Sequence, residues 1–291
     1  MLTGVDGGMT ARTNGPRVSV CIPVYQGERY IAETLDSVLA QEFDDMEVVV
    51  LDNCSTDATS AILGKYNDAR LRIARNDATV PMPDNFNRAV RLCRGEFVKL
   101  VCADDLVASD CVSAQAAILA DRPDVALVSC RLDFIDDNGS LLRASRGLAG
   151  LLGEHSKDSV VRTIVRSGGN PIGPPVATMF RKVDFDMCNG FDGRLLFPME
   201  LDMWTRLLEH GSFYGHGDTL CSFRVSSTNM TSATSIRSQY SQHAEFVRGI
   251  RWDPSVRRRD RFAGLVNGFI MQAKRTRLAA SSTTRARKKS R

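Results

Sequence analysis

The stretch Val98 to Leu106 reads VKLVCADDL: an apolar run that stops abruptly at two adjacent carboxylates, Asp104 and Asp105. Such a run, rich in β-branched residues, predicts a buried strand, Phe97 to Cys102, with the acids at its carboxyl end. Open α/β sheets bind ligands beyond that end of their strands. Two neighbouring carboxylates there repel each other unless a cation joins them, and a divalent ion carrying a diphosphate would satisfy both. The alternative is a solvated turn between a strand and a helix.

Working outward, strands and helices alternate over the first 130 residues. Val18 to Val24 (VSVCIPV) and Met46 to Leu51 (MEVVVL) are apolar enough to be buried on both faces. A shorter strand is expected at Leu71 to Ala74 and another at Val125 to Cys130. Between them, helical spacing runs over Glu28 to Gln41, Asp84 to Cys93 and Ser109 to Ala120. The pattern predicts an α/β fold with a mostly parallel sheet and crossover helices. Its strand ends carry Tyr25, Gln26 and Glu28, then Asp52 and Asn53, then Asp104 and Asp105, all on one edge.

After residue 130 the rhythm changes. Asp136 to Gly139 (DDNG) marks a hairpin, Ser156 to Ser167 a helix, and Gly168 to Pro175 a loop dense in turn residues. Val176 to Arg181 and Thr219 to Val225 are strands, and Met199 to His210 is a helix with Glu200 and Asp202 in its first turn. Acids there complement the helix dipole, which accounts for them without any chemistry.

Composition narrows the class. The eight cysteines include no CxxC pair and several sit in apolar runs, so they read as reduced packing residues. The four histidines have no metal-ligand spacing. No apolar stretch is long enough to span a bilayer, and the first 16 residues, read as disordered, lack a secretory h-region. A cytoplasmic protein is expected. From Arg251 to Arg291 there are 13 Lys/Arg against two Asp/Glu, which leaves the rest of the chain mildly acidic. A C-terminal helical extension is expected over 236–280, with a disordered basic tail at 281–291. Its segment Phe262 to Leu278 has apolar residues at helical spacing. It could pack on the domain, pair with another chain, or lie on an anionic membrane at the inner face. Nucleic acid ranks last, because no aromatic stacking pattern is present.

In order, the motifs VSVCIPVYQGERYIAETLDSVLAQ, VVVLDNCSTD, CADD, NPIGPPVATMFR and MELDMWTRLL resemble the family 2 glycosyltransferases, over roughly Val18 to Thr231. The resemblance implies a GT-A fold in residues 17–235, with a nucleotide-binding half (17–130) and an acceptor half (131–235) containing a smaller antiparallel part. It implies transfer of a sugar, with inversion, from a UDP-, dTDP- or GDP-linked donor to a hydroxyl of a glycan or lipid-linked acceptor, as in cell-envelope or polysaccharide biosynthesis. Pro23, Tyr25 and Glu28 would line the nucleotide pocket, and Asp52 or Asn53 would face the base. Asp105 and Asp104 would hold Mn²⁺ or Mg²⁺ on the diphosphate, with Asp104 also reaching the nucleotide sugar. Cys102 would be a packing residue. Glu200 matches the general base, with Asp202 as helper or as the base itself. Asn170 and Gly173 would lie near the acceptor, or simply shape a tight turn. Arg224 would contact phosphate, or form a surface ion pair. Trp204 would stack on a sugar, or pack in the core. The competing function is a non-catalytic nucleotide-sugar-binding or assembly subunit of the same fold. A nucleotidyltransferase is disfavoured, since PVYQGER lacks the glycine density such enzymes place after the first strand.

Overall fold

The computed structural model describes residues 15–226, 235–250, 252–264 and 266–268. The expected disordered ends therefore lie, apart from residues 15 and 16, outside the described residues. β1 (Val18–Val24) and β2 (Met46–Asp52) have every residue buried. Helix α1 (Ile31–Leu39) joins them, and α2 (Thr59–Leu63) leads to β3 (Leu71–Arg75). Next come α3 (Met82–Leu92), β4 (Phe97–Leu100), β5 (Leu106–Val107), α4 (Cys111–Asp121) and β6 (Val125–Ile135). The second half holds β7 (Leu141–Arg146), β8 (Gly153–His155), α5 (Lys157–Ser167), β9 (Thr178–Arg181), α6 (Lys182–Met187), α7 (Met199–Leu207), β10 (Ser212–Arg224) and α8 (Ile236–Ile250).

One mixed sheet carries all of this, in the order β3-β2-β1-β4-β9-β6-β10-β5, with β7 beside β6 and β8 beside β10. The first four strands are parallel. β9 enters antiparallel between β4 and β6, and β6 pairs parallel with β10. Alternate residues of β1 face opposite sides, so Val20 and Ile22 join the core under α1 and α4 while Cys21 joins the core under α3 and α7. That two-sided burial is why β1 and β2 read as almost wholly apolar runs.

Four strand boundaries differ from expectation by more than one residue. The strand predicted to reach Cys102 ends at Leu100, because the chain turns at 101–105 to pair Leu106 and Val107 antiparallel with Ser222 and Cys221 of β10. The strand predicted to end at Cys130 runs on to Ile135, so the 130/131 division falls inside β6 and the two halves share one sheet. The last strand begins at Ser212 rather than Thr219; bulges between His216 and Cys221 absorb the polar Gly-His-Gly-Asp segment that hid it. Pro175 to Ala177 form a 3-10 turn ahead of β9, which shortens the strand expected from Val176.

The helical extension packs on the domain. Phe246 of α8 enters the core under α7, and Val247, Ile250 and Val256 close over Val161 and Val165 of α5. The part of Phe262 to Leu278 beyond residue 268 lies outside the described residues.

Candidate active site

The ends of β1 and β2 are laced into a single polar floor. Gln26 donates its amide N–H to Ser55 Oγ (2.9 Å) and its Oε1 accepts from the Thr56 N–H (2.8 Å). Glu28 N–H donates to Asp57 Oδ2 (3.0 Å), and Glu28 Oε2 accepts from Ala58 N–H (2.9 Å). Bonds from the Thr59 hydroxyl and from the Glu28 and Thr59 amides outweigh burial and hold the Asp57 carboxyl below its ordinary range. Gln26 (φ 53°) and Cys54 (φ 60°) both sit in the left-handed region, backbone strain of the kind that collects at functional sites. Pro23 is buried within β1, while Tyr25 is 54% exposed at the lip of the floor.

Asp52 and Asn53 do different work. Asp52 is buried; its Oδ1 accepts from Ser55 N–H (2.9 Å) and its Oδ2 pairs with Arg75, which also donates to Ser55 O (2.8 Å). Asn53, expected as an alternative contact to the base, is instead spent on the fold. Its Nδ2 donates to Val80 O (2.8 Å), and its Oδ1 accepts from Asn76 Nδ2 (2.9 Å) and Val80 N–H (3.0 Å). It pins the 76–80 loop. Arg75 and Asn76 were missed in the sequence. They stand at the carboxyl end of β3, and the strand-end rule applied to the other three strands would have found them.

The carboxylate pair lies on the turn between β4 and β5. Asp105 is fully buried: Oδ1 accepts the Arg224 backbone N–H (3.0 Å), and Oδ2 is buried with no hydrogen-bond partner. Asp104 beside it is half-buried. Burial, then the neighbouring Asp104 charge, push the Asp105 carboxyl well above its ordinary range, and burial raises Asp104 as well. An orphaned carboxylate oxygen beside a second carboxylate is the donor set a hard divalent cation takes. Among the described residues no group of three acidic, histidine or cysteine side chains could hold a metal, so Asp104 and Asp105 would share such an ion with ligand or water oxygens.

Arg224 fits neither of its expected roles, because it is only 1% exposed and its guanidinium is engaged within the protein. Nε donates to Asp104 O (2.9 Å), Nη1 to Asp136 O (3.1 Å) and Nη2 to Glu33 Oε2 (2.6 Å), and the group lies 4.4 Å from the Tyr30 ring centroid. It ties the carboxylate turn to α1 and to the β6–β7 hairpin. Tyr30 and Glu33, its partners, carried no sequence signal.

The acids of α7 point to different places. Glu200 lies near enough to Cys102 that, after burial, Asp105 and Asp104, it helps push that thiol well above its ordinary range. Cys102 is thus within electrostatic range of Asp104, Asp105 and Glu200 together. Asp202, two residues and about 200° further round the helix, is held by Arg206 (Nη2 2.8 Å, Nε 2.9 Å), whose Nη1 reaches Cys188 O.

Trp204 is not a sugar platform. It is fully buried among Phe180 and Phe191, and its Nε1 donates to Gly173 O (3.2 Å). That bond supports the loop after α5, where Gly173 takes φ 113° and is itself buried. Asn170 shapes the same loop: Oδ1 accepts from the Ile172 and Gly173 amides, and Nδ2 donates to Gly173 O (2.9 Å). Asn170 and Gly173 are therefore loop-forming residues whose polar atoms face their own turn.

Residues 19–186, more than half of the chain, match the description Glycosyl transferase family 2. The chain belongs to that family. A glycosyltransferase of Rickettsia typhi is 26% identical over 228 residues, 77% of this chain and 68% of that protein. The poly(ribitol-phosphate) beta-N-acetylglucosaminyltransferase TarS of Staphylococcus aureus is 35% identical over 120 residues, 40% of this chain. Its residues 1–349, solved with UDP-GlcNAc, superpose with a TM-score of 0.66 at 20% identity, covering 87% of this chain and 71% of that one. The mannosyltransferase PcManGT of Pyrobaculum calidifontis, solved with GDP-Man and Mn²⁺, gives 0.64 at 22% identity over 92% and 76%. These likenesses show the GT-A fold. The chain spans 21% of TarS and 14% of a relative from Sinorhizobium fredii, so family membership fixes the domain rather than the reaction. The described residues contain no helix long and apolar enough to cross a membrane.

Proposed function

We propose that this domain transfers a sugar from a nucleoside diphosphate sugar to a hydroxyl of a glycan or lipid-linked acceptor, with inversion at the anomeric carbon. The observation that carries the reading is the buried, unpartnered Oδ2 of Asp105, set beside Asp104, with Glu200 within electrostatic range of the adjoining Cys102. A fully buried carboxylate oxygen with no partner is costly in a fold that does nothing with it.

Each residue has an assignable task. The exposed ring of Tyr25 covers one face of the base, and Asp52, fixed by Ser55 and Arg75, accepts from its edge. The lacing of Glu28 with Ala58 and Asp57 keeps that floor rigid. Asp105 and Asp104 would hold Mn²⁺ or Mg²⁺, which neutralises the charge of the departing diphosphate. PcManGT, solved with Mn²⁺, supports that assignment. Glu200 takes the proton from the acceptor hydroxyl at a carboxylate oxygen, on the side of the sugar away from the leaving group. Asp202 would have to leave its Arg206 pair before it could take that proton. The neighbours were solved with UDP-GlcNAc in one case and GDP-Man in the other, which supports a nucleoside diphosphate sugar as donor, UDP-, GDP- or dTDP-linked. A cytoplasmic site of action, in cell-envelope or polysaccharide biosynthesis, accords with such donors.

The test is release of nucleoside diphosphate from a panel of UDP-, GDP- and dTDP-sugars, with Mn²⁺ and with EDTA. One donor class should be turned over and EDTA should abolish it. Tight donor binding with no release from any donor across glycan and lipid-linked acceptors would favour the non-catalytic subunit.

A further inference from the structure

Beyond α8 the chain forms a second, short helical stretch over 258–264 and 266–268. One side of it is fixed to α5. Asp260 is buried and pairs with Arg166 (3.4 Å), a Cβ at Gly264 would run into the Val165 carbonyl oxygen, and Asn267 Nδ2 donates to Arg166 O (2.7 Å). These positions recur at i, i+4 and i+7, a single helical face. The opposite face carries Phe262 and Val266 at i, i+4, 71% and 45% exposed, next to the exposed Arg258 and Arg259. Trp252, 65% exposed, is tied to this stretch by the Arg261 guanidinium, 4.6 Å from its ring centroid.

We propose that this Trp252–Phe262–Val266 face, rimmed by Arg258 and Arg259, docks on an anionic lipid surface. The chemistry is that of an interfacial helix: apolar side chains reach the headgroup boundary while arginines beside them meet lipid phosphates. The two acids in this region are turned away, Asp260 buried against α5 and Asp253 half-buried. Residues 269–291 add Phe269 and Ile270, eight Lys/Arg and no acid in sequence. A second copy would present the same positive face and repel in a two-fold pairing. Nucleic acid would meet arginines but gain nothing from Val266, and Arg261 already covers one face of the only exposed indole. This docking does not rest on the donor chemistry, and its failure would leave that reading intact.

The chain has two tryptophans, and Trp204 is fully buried, so a change in tryptophan emission reports Trp252. The full-length chain is mixed with phosphatidylcholine vesicles with and without phosphatidylglycerol, and binding is read by flotation and by emission. Expected are flotation with the anionic vesicles alone, a blue shift of Trp252, and loss of both at high salt. Arg258→Gln with Arg259→Gln should weaken partitioning about fivefold per arginine, and Phe262→Ala about tenfold. These side chains are exposed, so the variants keep the wild-type unfolding midpoint. Absence of anionic-vesicle binding, or equal partitioning of wild type and the Trp252→Ala/Phe262→Ala double variant, overturns the proposal. So does an RNA homopolymer that perturbs Trp252 at lower concentration than the vesicles do.

Discussion

Replacing Arg224 with Met should loosen the carboxylate turn and destabilise the whole domain. The side chain is 1% exposed and gives two charged hydrogen bonds to main-chain carbonyls, Asp104 O and Asp136 O. Hydrogen bonds from charged donors are each worth about 1.5–3 kcal/mol. The pair with Glu33 adds less than about 1 kcal/mol, because Glu33 is half-exposed and screened. Met retains part of the packing on Tyr30, so the expected loss is about 3–5 kcal/mol, or a drop in Tm of roughly 10 °C for a domain of this size. The backbone N–H to Asp105 survives the substitution, so the turn is loosened rather than removed. Circular dichroism on heating gives the stability, and calorimetry with UDP or GDP plus Mn²⁺ gives the affinity, which should weaken as well. Arg224→Lys should recover part of the stability at most, since an ammonium cannot reach all three acceptors in a fork. A loss below about 1 kcal/mol with unchanged nucleotide binding would refute the tether.

Asp105→Asn should raise the stability of the metal-free protein by about 1–2 kcal/mol while removing metal-dependent nucleotide binding. Burial and Asp104 raise the Asp105 pKa in the fold, so its protonated form is stabilising below the ordinary carboxylate range and that stability is lost as pH rises through the folded pKa. Urea midpoints from acid to neutral pH should fall in wild type more than in the variant; parallel curves would contradict this. Lys99 is fully buried, with Nζ on Gln115 Oε1 (2.8 Å) and Val176 O (2.7 Å), so Lys99→Met should cost about 2–4 kcal/mol by orphaning both acceptors, read as a lowered urea midpoint. Tyr30 and Tyr66 are pushed up to about 12, by burial and by bonds to Asp137 and Asp36. Each therefore contributes stability that is complete below pH 10 and fades toward 12, and absorbance at 295 nm should lose one late-ionising tyrosine in Tyr30→Phe and another in Tyr66→Phe.

Much of the sheet was legible because burial on both faces writes itself into sequence. β1 was bounded to the residue and β2 to within one, since both are almost wholly apolar, with only Ser19 inside β1 and Glu47 inside β2. β10 was half lost, because its bulges hold Gly215 to Asp218, which read as a loop. The site was legible as residue types at strand ends, but not as hydrogen bonds. Asn53 suits a pyrimidine edge and a loop amide equally well; only the return of residues 76–80 beside β2 decides between them. Arg224 meets Glu33 across 191 residues, a separation no local pattern encodes. Trp204 sits on a helix at core spacing, and its burial follows from the aromatic cluster of Phe180, Phe185 and Phe191 beneath α7. Glu200 and Asp202 both looked like first-turn acids, and sequence alone could not show that Arg206, one turn on, pairs with Asp202.

The most direct measurement compares turnover with donor affinity in Glu200→Gln and Asp202→Asn, using whichever nucleotide sugar the wild type hydrolyses or transfers. Loss of a general base lowers turnover by about 10²–10⁴-fold without weakening donor binding. The predicted result is that loss in Glu200→Gln at an unchanged donor Kd, with turnover in Asp202→Asn within about tenfold of wild type. Full turnover in Glu200→Gln, or its collapse in Asp202→Asn alone, would contradict the assignment of Glu200 as the base.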